Sequence, residues 1–504
     1  MNWRIRSARR TSRTWGVWES RPWPLAFGVL TLGLFGCSQG PSAPSLLLIT
    51  VDTLRQDHVS AYGVASAKTP AIDRLAEQGV LFENHYTVVG LTEPAHVTLF
   101  TGLYPRQHGV RRNGLRLPAN LPLLAETLAQ AGYRTGASIG SGVLGSEFGL
   151  ARGFASFAEN FDTGNFDRGH ARTGAYERFA EAVIDDALSF IAAPSDESLF
   201  LWVHLFDPHA PYLRDDAELP ATEELLAGGA VFAEANEFQQ ADQIEKMRRG
   251  YAAEVRYTDA QVGRLVDAWD ARMNGAENLV IFTADHGEAL GEHSYIGHSF
   301  YLYEEQIRVP LILRMPSELR AGRRVSSTTS VIDVAATILE LLSIDEPHPH
   351  GGKSLIQWLH GADPNPNSFA IAERPALPSA SKLKREGKTR PADWSPKALQ
   401  DRLVKHHEGR AGGGALGLVA WIRGQQKYIW SEDAEDELFL LSVDPLEQAN
   451  RIDQAGPSNE LQALVESWQA ATPALYRAPK DKPSQGKSTE EMLNALGYGG
   501  EEDE

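Results

Sequence analysis

Three side chains that could bind a cation follow apolar runs of the chain. Asp52 comes directly after the run 46–51, and Asp285 and His286 follow the run 279–283. Continuous apolar runs are typical of buried parallel strands, and ligands bind at the carboxyl ends of such strands. Two carboxylates and an imidazole at that edge predict a site for a divalent cation.

Thr92 is the candidate nucleophile. The segment 92–96 reads Thr-Glu-Pro-Ala-His and leads into the run 97–102. This order predicts a helix with Thr92 as its N-cap and Pro94 in its first turn. A hydroxyl at the positive end of a helix dipole could attack an ester or bind an oxyanion. The motif alone favours the simpler reading, in which Thr92 only caps the helix.

The elements that must position these residues alternate between strands and helices. Strand-like runs lie at 46–51, 199–205 and 279–283, and the predicted helices lie at 70–79, 121–131, 175–190 and 247–269. Such alternation predicts an α/β fold with a large, mostly parallel sheet flanked by helices.

A smaller C-terminal α+β domain is expected after the large one. A helix near 331–342 and strands at 428–430 and 438–441 indicate it. We therefore divide the chain into a catalytic domain at 46–330, a smaller subdomain at 331–475 and a tail at 476–504. The segment 376–414 is polar, rich in Lys and Arg, and broken by Pro and Gly, which predicts a long loop.

The first 45 residues resemble an export signal. Six arginines between residues 4 and 21 precede an apolar run at 25–36, which is short for a membrane span. The following Cys37 resembles the lipidated cysteine of a bacterial lipobox. We expect a lipoprotein-type signal peptide at 1–37, a linker at 38–45, and an exported protein anchored by lipid to the membrane, in the periplasm or at the cell surface. A plain signal peptide or an uncleaved anchor is the alternative.

Charge and cysteine content exclude several classes of site. The formal net charge of −18 argues against a nucleic-acid partner, which would need a basic face. Cys37 is the only cysteine, so the folded domain has no internal disulfide and no thiolate metal site.

Several motifs, taken together and in order, resemble those of the sulfatase family in the alkaline-phosphatase superfamily. They are residues 48–55, 101–105, 108–110, 206–212, 283–288, 291–293, 303–305 and 308–311, followed by 437–439, 444–445 and 493–498. The resemblance implies an alkaline-phosphatase-like fold and metal-dependent hydrolysis of sulfate or phosphate esters, with a small molecule or a glycan as substrate.

The resemblance also assigns roles to individual residues. Asp52, Asp285 and His286 would be metal ligands, Thr92 the nucleophile, and His209 a contact to the substrate anion. Calcium is the metal that this comparison implies. The chain departs from the sulfatase pattern at Thr53, Thr92, His96, Ser141, Val143 and His298.

The departure at Thr92 matters most for the chemistry. Sulfatases oxidise a Cys or Ser to formylglycine, whereas a secondary alcohol such as Thr92 can yield only a ketone. Nucleotide pyrophosphatases and phosphodiesterases of the superfamily use a threonine nucleophile and hold a second metal with one Asp and two His. Asp207, His209 and His298 have the right residue types for such a second site, and zinc or manganese would then replace calcium.

These residues leave several hypotheses open. His209 and His298 would stabilise the substrate oxygens or hold the second metal, and His96 would assist proton transfer or brace the helix. The main hypothesis is a sulfatase-like hydrolase. The alternatives are a two-metal phosphodiesterase or phosphatase, a sulfatase that works through unmodified threonine, and a non-catalytic relative that binds anionic glycans. The oligomeric state is not predicted.

Overall fold

The structure is a computed structural model that describes most of the chain after residue 42. The described residues are 43–161, 176–212, 237–345, 348, 351–375, 417–432, 435–454, 459–479 and 492. Cys37, the predicted loop 376–414 and the motif 493–498 lie outside them. Within the described residues, no helix combines the length and the apolar character that crossing a membrane requires.

An eight-stranded sheet forms the centre of the described fold. Its strands in chain order are β1 (Ser45–Val51), β2 (Val80–Tyr86), β3 (Arg134–Ile139), β4 (Ser156–Ala158), β5 (Leu199–Leu205), β6 (Asn278–Ala284), β9 (Leu311–Arg314) and β10 (Arg323–Ser330). Their spatial order is β10-β2-β9-β6-β1-β5-β3-β4. Only β9 runs antiparallel to its neighbours in this sheet. The predicted mostly parallel sheet is confirmed.

Helices cover both faces of this sheet. The described α-helices are α1 (Pro70–Gln78), α2 (Thr92–Thr101), α3 (Pro105–His108), α4 (Leu124–Gln130), α5 (Ala180–Ala192), α6 (Glu237–Met273), α7 (Glu304–Ile307), α8 (Val334–Leu341), α9 (Ile356–Leu359) and α10 (Asn459–Ala471). Side chains of β1 alternate between two cores, with Leu46 and Leu48 on one side and Leu47, Ile49 and Val51 on the other. Burial on both faces explains why this strand is continuously apolar.

Two small antiparallel sheets complete the described strands. β7 (Ala289–Leu290) pairs with β8 (Ile296–Gly297) close to the carboxyl end of β6. The four-stranded sheet contains β11 (Phe369–Arg374), β12 (Leu418–Arg423), β13 (Gln426–Ser431) and β14 (Glu437–Leu440) in that order. It confirms the smaller C-terminal unit.

Several boundaries differ from the sequence prediction. Thr92 is the first residue inside α2 and not its N-cap, because the extended Leu91 occupies the cap position and its carbonyl oxygen accepts the Ala95 N–H at 3.0 Å. Helix α4 begins at Leu124 and not at residue 121, because the Glu126 carboxylate accepts the Leu123 N–H at 3.0 Å and fixes the start. The strand predicted at 199–205 agrees with β5 to the residue.

Candidate active site

The pairing of β1 with β6 brings the predicted metal ligands together. Val51 lies opposite Ala284 in the parallel register, so the next residues, Asp52 and Asp285, leave the sheet side by side. Ligand atoms of Asp52, Asp285 and His286 lie within 4.8 Å of one another. All three side chains are buried.

Several oxygens of the two carboxylates accept no hydrogen bond from the described residues. Asp285 accepts hydrogen bonds at Oδ1 from the backbone N–H groups of His286 (2.8 Å) and Thr53 (3.2 Å), but its Oδ2 has none in the described residues. Neither Asp52 oxygen accepts a hydrogen bond of ordinary geometry there, although the nearby Thr92 hydroxyl favours the charged form.

Burial therefore perturbs both acids. It raises the pKa of Asp52 well above its usual range, and the carboxylate of Glu177 raises it further. Burial also raises the pKa of Asp285, and the charge of Asp52 adds to that rise. Two buried carboxylates this close need a compensating positive charge, so the residues fit a bound divalent cation.

His286 presents a nitrogen lone pair to this centre. Its Nδ1–H donates to the Gly287 carbonyl oxygen at 3.0 Å, which leaves Nε2 unprotonated. This Nε2 lies 3.5 Å from Asp285 Oδ2 and 3.4 Å from Thr92 Oγ1. Burial lowers the pKa of His286 to about 3, so the ring is a neutral candidate ligand.

Thr92 is placed beside the predicted ligands. It is fully buried at the start of α2, and its hydroxyl faces His286. A hydroxyl at this position lies at the positive end of the helix and next to the candidate cation site, which favours negative charge on its oxygen.

His96 is occupied by a chain of hydrogen bonds. Trp202 Nε1–H donates to Thr50 Oγ1 at 3.0 Å, and the Thr50 hydroxyl lies 3.0 Å from His96 Nε2. His96 Nδ1–H donates to the Thr92 carbonyl oxygen at 2.8 Å. Because both ring nitrogens have backbone or hydroxyl partners, this geometry supports the bracing role over proton transfer.

His209 and His298 form a pair at the same site. Each donates its Nδ1–H to a backbone carbonyl, that of Ala210 for His209 (2.7 Å) and that of Gly90 for His298 (3.0 Å). Their Nε2 atoms are therefore both acceptors and lie 3.3 Å apart. The His298 ring also lies 4.4 Å from the His286 ring, centre to centre. Two facing nitrogen lone pairs of this kind would bind a metal cation or a hydrogen-bond donor.

Asp207 does not join this pair. Its Oδ2 accepts the Ala180 N–H at 2.7 Å at the start of α5. Within the described residues, neither group of three metal-binding side chains contains Asp207, His209 or His298. The triad suggested for a second metal is therefore not assembled in this structure.

The sequence reasoning missed two side chains near the site. His204 is the penultimate residue of β5, and its Nε2 lies 3.4 Å from Asp52 Oδ2. Glu177 is near enough to raise the pKa of Asp52. In sequence, a lone histidine in an apolar strand looks the same as a core residue, and nothing in the pattern singled out Glu177 either.

Comparison with known proteins decides the family. The model of the sulfatase family matches residues 44–344, which is more than half of the chain. The chain belongs to the sulfatase family. It is therefore an ester hydrolase of that family, and the family implies a divalent metal.

Relatives and solved structures agree with this assignment. The N-acetylglucosamine-6-O-sulfatase of Bacteroides thetaiotaomicron is 23% identical over 90% of this sulfatase-family chain and 92% of its own. The choline-sulfatase of Rhizobium meliloti is 24% identical, covering 81% and 82%. The phosphonate monoester hydrolase of Agrobacterium radiobacter has the same fold, with a TM-score of 0.61, 22% identity and coverage of 85% and 96%.

Proposed function

We propose that this chain is a metal-dependent hydrolase of sulfate or phosphate esters in which Thr92 is the nucleophile. The proposal rests on one observation. Thr92 Oγ1 lies 3.4 Å from His286 Nε2, beside two buried carboxylates. Both Asp52 oxygens and Asp285 Oδ2 have no hydrogen-bond partner in the described residues. The Thr92 oxygen, held in this way, is positioned for attack on an ester.

Asp52, Asp285 and His286 would hold the cation. When bound, a divalent cation supplies Lewis-acid stabilisation of negative charge on nearby oxygens. The side chains perform the other tasks. His96 holds the backbone carbonyl of Thr92. A proton on one of the facing Nε2 atoms of His209 and His298 would let that ring donate a hydrogen bond to a substrate oxygen.

The reaction would proceed in two balanced steps. Thr92 Oγ1 forms a bond to the phosphorus or sulfur, the bond to the leaving oxygen breaks, and the proton of the Thr92 hydroxyl is transferred overall to the leaving alcohol. Water then forms a bond to the same phosphorus or sulfur, and the bond from that atom to Thr92 Oγ1 breaks. One proton of the water is transferred overall to Oγ1, which restores the hydroxyl, and the phosphate or sulfate product leaves. No oxidation of Thr92 is required, which fits a secondary alcohol.

Relatives and structural neighbours of this chain are named for both sulfate and phosphorus esters. N-acetylglucosamine-6-O-sulfatase and choline-sulfatase are named for sulfate esters, and the phosphonate monoester hydrolase is named for a phosphorus ester. A two-metal phosphodiesterase remains the second candidate, supported by the facing Nε2 atoms of His209 and His298.

The test is the hydrolysis of matched aryl sulfate, phosphate monoester and phosphate diester by the full-length chain in mild detergent. Calcium, magnesium, manganese and zinc are compared. Thr92→Ala should lower kcat/KM by about 10³-fold or more on the best substrate, as loss of a nucleophile does. Thr101→Ala, which removes a buried hydroxyl from the same helix, should retain activity.

Each outcome separates the hypotheses. Thr92-dependent cleavage of phosphate esters would favour the phosphodiesterase or phosphatase, and Thr92-dependent sulfate release would show that formylglycine is dispensable. Equal activity of the parent chain and Thr92→Ala on every substrate would refute the nucleophile. A parent chain that is also metal-free would favour the glycan-binding relative.

We also propose the cell envelope as the location, on the basis of the N-terminal sequence alone. Incorporation of labelled palmitate in a bacterial host should depend on Cys37. Equal labelling of a Cys37→Ser variant would reject the lipid anchor.

A further inference from the structure

His204 is a buried histidine whose ring nitrogens have no hydrogen-bond partner in the part of the chain that the structure describes. It is fully buried in β5. A buried polar group without a hydrogen bond destabilises the folded state, and such groups call for a specific explanation such as an ion. A phenylalanine would fill the same space without that cost.

The position of His204 points towards the predicted ligands. It lies opposite Thr50 in the β1–β5 register, two residues before Asp52. Its Nε2 is 3.4 Å from Asp52 Oδ2, and a ring nitrogen also lies within 4.8 Å of the Asp285 carboxylate. The partnerless histidine therefore faces the two carboxylates that also lack partners.

The separation of 3.4 Å is longer than an ordinary N–H···O hydrogen bond, which spans about 2.7–3.2 Å. Two ligands of one ion are separated by about 3.4 Å when their bonds of roughly 2.0–2.1 Å point to the corners of a tetrahedron. Asp285 Oδ2 and His286 Nε2 have a similar separation, 3.5 Å. The two pairs match the spacing of side chains around one centre.

We propose that His204 Nε2 is a fourth protein ligand of the cation held by Asp52, Asp285 and His286. This inference rests on the metal site of the proposed function and does not depend on Thr92. A set of two carboxylates and two imidazoles favours zinc or manganese, since calcium prefers oxygen ligands. His96 lies nearby but has partners on both ring nitrogens, so it is not assigned to the set.

The first experiment measures metal binding by the full-length chain without substrate. Zinc, manganese and calcium affinities are determined by competition with a chromophoric chelator, and bound metal by elemental analysis. His204→Phe should weaken zinc binding by at least about 10- to 100-fold, the loss typical of changes just outside the ligand shell. Calcium affinity should change much less.

His85→Phe is the matched control. His85 is also fully buried in a strand of the large sheet, and its Nε2 likewise has no partner in the described residues. Its Nδ1 contacts Thr329 and no acidic residue, so its replacement should leave zinc affinity unchanged. Equal zinc affinities of the parent chain and His204→Phe would overturn the inference.

The second experiment introduces a reporter ligand and does not depend on the stability of His204→Phe. In a Cys37→Ser background the chain has no other cysteine, so His204→Cys carries the only thiol. Cobalt bound to this variant should show a thiolate-to-metal charge-transfer band. Absence of the band from a folded, cobalt-loaded variant would reject coordination at position 204.

The outcomes distinguish this inference from the proposed function. If the parent chain binds metal, His204→Phe keeps the parent zinc affinity and His204→Cys shows no charge-transfer band, only the assignment of His204 as fourth ligand is rejected. A parent chain that binds no divalent metal removes the whole metal site. Activity that depends on Thr92 is measured separately and survives the first outcome.

Discussion

At the scale of single residues, Thr53 has an unusual backbone. Its φ of +52° lies in the left-handed region, where a side chain branched at Cβ is a rare outlier. The Thr53 N–H donates to Asp285 Oδ1 at 3.2 Å, and its carbonyl accepts the Tyr251 hydroxyl at 2.8 Å. These two hydrogen bonds hold Thr53 in its strained conformation. In that conformation its N–H group orients the carboxylate of Asp285, a candidate metal ligand.

At position 53 we predict that glycine is more stable than alanine, the reverse of the order expected within a helix. Thr53→Gly should be more stable than Thr53→Ala by about 1–2 kcal/mol, because glycine has no steric penalty at positive φ. Thr258 in helix α6 is the control, since its hydroxyl, like that of Thr53, is buried with no hydrogen-bond partner among the described residues. There alanine should be the more stable by about 1 kcal/mol. Urea unfolding of the four variants measures both differences, and the same order at both positions would contradict the strain.

At the scale of elements, the turn after β6 is shaped by its contact with α7. Gly287 N–H donates to the Gln306 carbonyl oxygen at 2.8 Å. A Cβ atom at Gly287 would lie 2.1 Å from the Glu305 carbonyl oxygen. The turn that carries Asp285 and His286 can therefore approach helix α7 this closely only with glycine at position 287.

We predict that Gly287→Ala displaces this turn and lowers both stability and metal affinity. The cost should exceed the roughly 1–3 kcal/mol of ordinary overpacking, because the contact is with backbone. Gly63→Ala tests backbone strain alone, since Gly63 has φ of +102° and open space around its Cβ position. That variant should lose about 1 kcal/mol and keep its metal. Thermal unfolding and chelator competition report the two effects, and unchanged metal affinity in Gly287→Ala would refute the steric argument.

At the scale of the whole molecule, a buried ion cluster joins the small sheet to helix α7. Lys427 of β13 is fully buried, with its Nζ 2.8 Å from Glu447 Oε1 and 3.1 Å from Glu304 Oε1. Burial alone would lower the pKa of Lys427, but Glu447 and Glu304 outweigh it and raise the pKa above its usual value. Glu304 begins α7, which packs beside the turn of the active site.

We predict that Lys427→Met lowers the free energy of unfolding by about 3–5 kcal/mol, because it leaves the fully buried Glu447 carboxylate without its cation, while Glu304 keeps Arg308. Adding Glu447→Gln should recover part of this loss, since the pair is coupled. Lys353→Met, at an exposed lysine, should change stability by less than about 0.5 kcal/mol. Denaturant unfolding is measured for the parent chain, Lys427→Met, Glu447→Gln, the double variant and Lys353→Met. An effect of the double variant equal to the sum of the two single effects would mean that the pair contributes no coupling.

Much of the fold and the core of the site could be predicted from sequence. Asp52, Asp285 and His286 each follow an apolar strand, and parallel strands end at the same edge, so their proximity follows from local pattern. The sheet, the alternation of its helices and the smaller C-terminal unit follow from the same periodicity. Thr92 was misplaced by one position because a cap and a first helical residue have similar sequence signals.

Only the tertiary structure decided which distant side chains share the site. His209 and His298 are 89 residues apart and meet through their loops, whereas Asp207 accepts a backbone N–H of α5. His204 was hidden in an apolar strand, where a lone histidine is indistinguishable from core until its neighbours are known. Local periodicity determines elements because it depends on nearby residues. Contacts between loops depend on packing of the whole chain, and no short pattern encodes them.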